Sequence, residues 1–245
     1  MEKRSAQRIR YLRTQDGLRL AWAEAGNGPV VVKAANWLTH LEYEWESPVW
    51  RHWIRFFSDH FRFVRYDERG CGMTDRSVGE LSFDRWVEDL ESVVDAAGIG
   101  APFTLLGISQ WASVCVAYAA RHPERVSRLL LYGGYARGWA LRGDKRGQRE
   151  YDAIVELVRQ GWARDNPTFR QLFSSRFILF ALTSYQHVRA AGLLNYSRTI
   201  LMAPGSLSSS SVGRVFFERA VASWGTPALR DLTFAILRIM IGLGA

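Results

Sequence analysis

Residues 105–111 read Leu-Leu-Gly-Ile-Ser-Gln-Trp. The apolar run "PFTLLGIS" before this point has the look of a strand. The segment "QWASVCVAYAARHP" after it has the spacing of a helix. Ser109 therefore falls at a strand-to-helix corner. Gly107, Ile108 and Ser109 match the first three places of G-x-S-x-G, a sharp turn that lifts a serine oxygen clear of the backbone. The fifth place calls for glycine and holds Trp111. An indole there is expected either to swing outward and leave the corner intact, or to pack between sheet and helix and loosen it. Serine is also a good helix N-cap. The stretch alone leaves Ser109 divided between a nucleophile and a cap.

Working outward, the chain alternates strands and helices. "IRYLRTQDGLRLAWAEAG" holds two strand-like runs joined at Asp16-Gly17, a strong hairpin signal. "PVVVKAA" is a short apolar run suited to a strand covered on both faces. "VWRHWIRFFSDHF" puts Trp50, Trp53, Ile54 and Phe57 on one helical face. "RFVRYDERG" reads as a strand ending in a glycine-rich turn. "FDRWVEDLESVVDAAGI" is an amphipathic helix with a stripe of Phe83, Trp86, Val87, Leu90, Val93 and Val94, stopped near Gly98. "VSRLLLYGG" is a further strand. This order predicts an α/β fold with a mostly parallel sheet flanked by helices. Ligands in such sheets lie beyond the carboxyl ends of the strands, which is where Ser109 falls.

At 245 residues the chain suits one α/β domain. Its net charge of +8 comes almost wholly from arginine, scattered among acids rather than blocked, so no nucleic-acid partner is expected. Cys71 and Cys115 lack metal-ligand spacing and read as reduced thiols, which predicts a cytoplasmic protein with no metal. The N-terminus lacks a signal-peptide stretch, and "LTFAILRIMIGLGA" is too short to span a bilayer, so no membrane association is expected. Beyond Tyr151 the pattern turns helical. Residues 178–245 then hold six arginines and only two acids, Glu218 and Asp231, and clear strand–helix alternation does not resume.

From about residue 9 to 177 the chain resembles the α/β-hydrolase superfamily. It is nearest to a bacterial subgroup found alone or fused to adenylate-cyclase and LuxR-type regulator domains. The resemblance is carried by "KAANWLTHLEYEWESPVWRHW", "RYDERGCGMTD", "LLGISQ" and "YAARHPERVSRLLLYGGYARG". "DERGCGMTD" matches a family turn, D-x-R-G-x-G-x-S-D, with Thr74 in place of serine. The resemblance implies a core over residues 1–140, a helical cap over 141–205 and an atypical segment over 206–245. It implies that Ser109 is a nucleophile attacking small acyl esters, with no cofactor. The Gln110 amide would supply one oxyanion donor, and Asn36 or Trp37 the other. Asp67, Arg69, Gly70, Gly72 and Asp75 would shape a structural turn.

The family's order places an acid and then a histidine after the serine. His40, His52, His60 and His122 lie in the wrong segments for that base, and His187 falls where the cap should be. His122 is expected at a helix end, and His40 near the oxyanion turn. No strand leading into an acid is apparent. Truncation, an altered reading frame in the tail and divergence each account for this, and the tail's composition favours a disrupted C-terminus. The function expected is a carboxylesterase-type serine hydrolase of weak or absent turnover. The alternative is a module on the same fold that binds a small molecule without hydrolysing it.

Overall fold

The computed structural model describes residues 6–36, 39–47, 50–134, 145–162, 164–172 and 200–202. The predicted hairpin forms from β1 (Arg8–Arg13) and β2 (Arg19–Ala25), antiparallel, with Gly17 at φ 83° in the turn. Next come β3 (Val30–Lys33), α1 (Leu41–Glu46), α2 (Arg51–His60) and β4 (Arg62–Tyr66). α3 (Phe83–Ala96), β5 (Phe103–Ile108), α4 (Trp111–Arg121) and β6 (Val126–Tyr132) complete the strand–helix alternation. α5 (Lys145–Gly161) starts earlier than the helical pattern at Tyr151 suggested, and β7 (Ile200–Met202) is a strand that the sequence did not announce. Among the described residues, seven strands run in the order β1-β2-β4-β3-β5-β6-β7. β3 pairs in parallel with both β4 and β5, and β5 with β6, while β7 runs antiparallel to β6.

Successive strand residues point to opposite faces, and this sorts the core in two. Val32, Val64 and Leu105 pack with the α3 stripe and most of α4, whereas Val31, Phe63 and Leu106 pack with Ile54 and Phe57 of α2. On α3 the predicted stripe is the buried face: Trp86, Val87, Leu90, Val93 and Val94 are covered, with Phe83 at the margin. Each large side chain so buried contributes about 1.5–3 kcal/mol. Ser82 caps α3 by accepting from the Arg85 amide, and Gly98 at φ 61° follows its end.

The turn after β4 is stapled by polar side chains. Asp67 Oδ2 accepts from the Met73 amide at 2.8 Å and the Leu41 amide at 3.3 Å. Thr74, standing in the serine place, accepts from the Ala21 amide at 3.0 Å and donates to the Asp67 carbonyl at 3.1 Å. Asp75 accepts from the Arg19 amide. Gly72 sits at φ 54°, where a Cβ would lie 2.2 Å from Asp67 Oδ2, so only glycine fits. Arg69 is 1% exposed and holds Asp89 of α3 through two bonds, Nε–Oδ2 at 2.8 Å and Nη2–Oδ1 at 2.7 Å. Its Nη1 reaches Asp16 in the hairpin turn at 3.0 Å. One guanidinium thus ties hairpin, turn and helix together.

Glu68, next in the chain, is fully buried, and neither carboxylate oxygen has a hydrogen-bond partner among the described residues. Burial pushes its carboxyl well above the ordinary range; Asp89 adds to this and Arg69 opposes it. The folded state therefore holds a proton that the unfolded chain releases above about pH 4.3. Stability from this group is present in acid and is lost as the pH rises through that window. Glu68→Gln keeps the shape without the charge. Urea denaturation from pH 4 to 8 is expected to show the variant gaining on the parent as pH rises; parallel stability curves would contradict it.

Candidate active site

The corner sits between β5 and α4 and consists of two residues, Ser109 and Gln110. Ser109 has φ 57°, the only non-glycine residue in the left-handed region among the described residues. Such a conformation costs a side chain about 1–2 kcal/mol. It is held from several sides: the Ser109 amide donates to the Tyr132 carbonyl of β6 at 2.9 Å, and its carbonyl accepts from Ala112 at 3.2 Å. The Ser113 hydroxyl donates to the Gln110 carbonyl at 2.7 Å. We expect Ser109→Gly to keep or raise the melting temperature by relieving this strain. A fall of more than about 1 kcal/mol would argue that the corner is unstrained.

Of the two outcomes expected for Trp111, the inward packing is the one found, without the loosening expected to follow from it. The indole neither swings outward nor loosens the corner. It is 1% exposed, 5.5 Å from the Trp86 ring and 6.1 Å from Tyr66 edge-on, while the strained serine persists. The close approach has moved one residue along. A Cβ on Gly107 would come within 2.9 Å of the Ala112 Cα and 2.7 Å of Cys115 Sγ, and one on Gly134 within 2.5 Å of the Ala112 Cβ. Small residues at 107, 112 and 134 let strand and helix meet, so position 111 is free to carry an indole into the core.

Ser109 is not the helix cap. Gln110 occupies that place, with φ −60° and ψ −30° and no side-chain capping bond. Ser109 is half-buried, and among the described residues its hydroxyl has no hydrogen-bond partner. The Gln110 amide also has no acceptor among them. Asn36 is buried just beyond β3. Lys33 pairs with Leu106 and the Ala34 amide donates to the Leu106 carbonyl, so this turn leaves the sheet beside the corner. β4 lies on one side of β3 and β5 on the other, which makes their carboxyl ends a crevice in an open sheet. Trp37 lies outside the described residues.

Three of the four described histidines, His40, His60 and His122, hold hydrogen bonds within their own segments or to α3. His40 caps α1, its Nδ1 accepting from the Tyr43 amide at 3.4 Å. His60 bonds the Phe56 carbonyl at 2.8 Å. His122 follows the end of α4, as its sequence context suggested, with Nε2 2.8 Å from Glu91. His52 lies on α2 beside Trp53, and burial together with Arg51 pushes its imidazole down. His187 and the segment 206–245 lie outside the described residues, as does much of 141–205.

The family described as alpha/beta hydrolase fold matches residues 41–214, a span that contains the corner, the stapled turn and their connecting elements. The chain belongs to this family. The proline iminopeptidase of Neisseria gonorrhoeae is 34% identical over 128 residues, covering 50% of this chain and 39% of that protein. The cis-3-alkyl-4-alkyloxetan-2-one decarboxylase of Shewanella oneidensis is 27% identical over 126 residues, covering 50% and 37%. The chain thus spans well under half the length of these curated relatives. An epoxide hydrolase of Bacillus megaterium, solved with an inhibitor, superposes with a TM-score of 0.53 at 19% identity, covering 95% of this chain and 71% of that one, which supports the fold. Among the described residues of this α/β hydrolase, no helix is long and apolar enough to cross a membrane, and no three His, Cys, Asp or Glu side chains cluster as metal ligands. Cys71 and Cys115 are free and buried.

Two features escaped the sequence reading. The Arg69 partner, Asp89, is twenty residues away on α3 and looks like any polar helix position. Lys33 ends a run read as wholly apolar and goes into the core with it. A lysine inside such a run was the available signal.

Proposed function

We propose that this α/β hydrolase is a carboxylesterase-type serine hydrolase acting on small acyl esters. Residues 1–140 would form its core and 141–205 a cap, in a cytoplasmic protein. The observation that supports this is the left-handed backbone at Ser109, held where β5 passes into α4. Strain held at a single residue on the rim of a crevice points to use of that residue. In this reading Ser109 Oγ attacks the ester carbonyl, the alcohol leaves, and water later releases the acid from the acyl-enzyme. The Gln110 amide donates to the developing oxyanion, and an amide of the Asn36–Trp37 turn is the second donor. A base must take the serine proton, and His40, His60 and His122 already hold other hydrogen bonds, so turnover is expected to be slow.

A fluorophosphonate probe tests this directly. The intact chain is expected to be labelled in a time-dependent way, with the adduct on the Ser109 peptide. Ser109→Ala is expected to give none. An unlabelled chain that still retains a small ester in equilibrium dialysis would favour the binding module instead.

A further inference from the structure

β1 is an edge of the sheet, and one side of its backbone has no neighbouring strand among the described residues. Antiparallel pairs alternate between residues that exchange hydrogen bonds and residues that do not. Ala21, opposite Tyr11, turns both its groups away from β1: its amide donates to Thr74 Oγ1 at 3.0 Å, and its carbonyl accepts from the Asp67 amide at 2.9 Å. Arg19, opposite Arg13, does the same with Asp75, its amide donating to the carboxylate and its carbonyl accepting from the Asp75 amide, each at 3.0 Å. The backbone groups of Tyr11 and Arg13, and by the same alternation those of Ile9, therefore face outward. The side chains of this edge sort by face. Arg8 and Arg10 share one face with Trp22, are 67% and 48% exposed, and each has a single ion pair among the described residues, to Glu24 Oε1 at 3.4 and 3.2 Å. Glu24 Oε2 is held by Arg62 at 2.8 Å, so three guanidinium groups share one carboxylate and positive charge is in surplus. Ile9 and Tyr11 lie on the other face, where Arg19 stands 3.8 Å over the Tyr11 ring.

We propose that β1 takes up an acidic segment of another protein as an added antiparallel strand, one in which acids and apolar residues alternate. The carboxylates of that segment meet Arg8 and Arg10 on one face, and its apolar side chains cover Ile9 and Tyr11 on the other. Exposed edges ordinarily carry charges to repel further strands. Here the repulsion is selective. A second copy of β1 would bring arginines against arginines, and like charges directly opposed are unfavourable, whereas an acidic strand meets its complement. Residues 178–245 hold six arginines and two acids, so the chain's own tail lacks the charge for this place. β1 lies four strands from β5 in the sheet, roughly 19 Å at ordinary strand spacing, which sets the site apart from the serine corner.

The full chain would be titrated into fluorescein-labelled Gly-Val-Glu-Val-Glu-Val-Gly, with binding read by fluorescence anisotropy. The peptide is expected to saturate below about 1 mM. A copy with its internal amides N-methylated keeps every charge and loses its backbone donors, and is expected to bind at least about tenfold more weakly. Arg8→Gln combined with Arg10→Gln is expected to weaken the unmodified peptide at least about threefold and to remove most of the salt dependence of binding. Glu24 keeps Arg62 in that variant, so the fold does not rest on the two replaced side chains. No saturation by the unmodified peptide would overturn the proposal. Equal binding of the N-methylated copy would do so as well, because charge alone would then hold the peptide, and so would equal binding by the double variant. A dimer in light scattering that the peptide leaves intact would assign the edge to a second copy instead.

Discussion

Asp89→Ala is expected to destabilise the protein by about 3–5 kcal/mol, the largest effect of any single side-chain truncation outside the apolar core. Arg69 and Asp89 are each 1% exposed, and their two bonds are the main compensation for a guanidinium taken out of water. Without the carboxylate, Arg69 keeps Asp16 at 3.0 Å and the Glu80 carbonyl at 3.1 Å, which satisfy one nitrogen of the fork. For a chain of this length the loss corresponds to a fall of roughly 6–20 °C in melting temperature. Asp84→Ala makes the contrast. It too removes an arginine partner, Arg121 at 2.6 Å, but Asp84 is 71% exposed, and the change is expected to stay within about 1 kcal/mol. Replacing Arg69 and Asp89 together by methionine and leucine should recover most of the loss, since the cost lies in the orphaned charge more than in the missing attraction. Thermal melts of the four proteins decide it. An Asp89→Ala variant as stable as the parent would mean that the buried pair contributes nothing.

Ser109→Ala is expected to lower the slow hydrolysis of p-nitrophenyl acetate by more than about tenfold and to abolish any burst of nitrophenolate. The size follows from the two-step route: without the hydroxyl no acyl-enzyme forms, and only direct attack by water, helped by the oxyanion donors, remains. The burst matters as much as the rate, because it counts sites and not impurities. The alanine variant would inherit the strained backbone, so the two proteins should melt within about 1 kcal/mol of one another. A variant retaining a tenth or more of the parent rate would move the conclusion to a binding pocket without acyl chemistry.

How much of this was visible in the sequence depended on whether the controlling interaction was local. The hairpin at Asp16-Gly17, the stripe on α3 and the strand-to-helix passage at Ser109 were legible because turn chemistry and period are written within a few neighbouring residues. The stapled turn was legible through resemblance, which also gave its shape without its partners. The inward packing of Trp111 was among the expected outcomes, but its effect on the corner was misjudged because the motif puts the close approach at its fifth place. In this chain it falls on Ala112 against Gly107 and Gly134, a contact between strand ends twenty-seven residues apart in the chain. Arg69 with Asp89, and Lys33 under Trp50, have the same character: each rests on elements that meet only after folding. β7 was invisible for a related reason. Three residues are too few to show a period, and its pairing with Leu129–Leu131 is a long-range choice.

The tilt of 47° between the Trp86 and Trp111 rings, whose centres are 5.5 Å apart, has an optical consequence. Two indoles so close and so inclined share their electronic excitations, and the chiral arrangement splits the absorption into bands of opposite circular dichroism. One ring belongs to α3 and the other opens α4, beside the corner. The couplet therefore offers a spectroscopic gauge of whether the serine's surroundings are assembled, readable without substrate and without turnover.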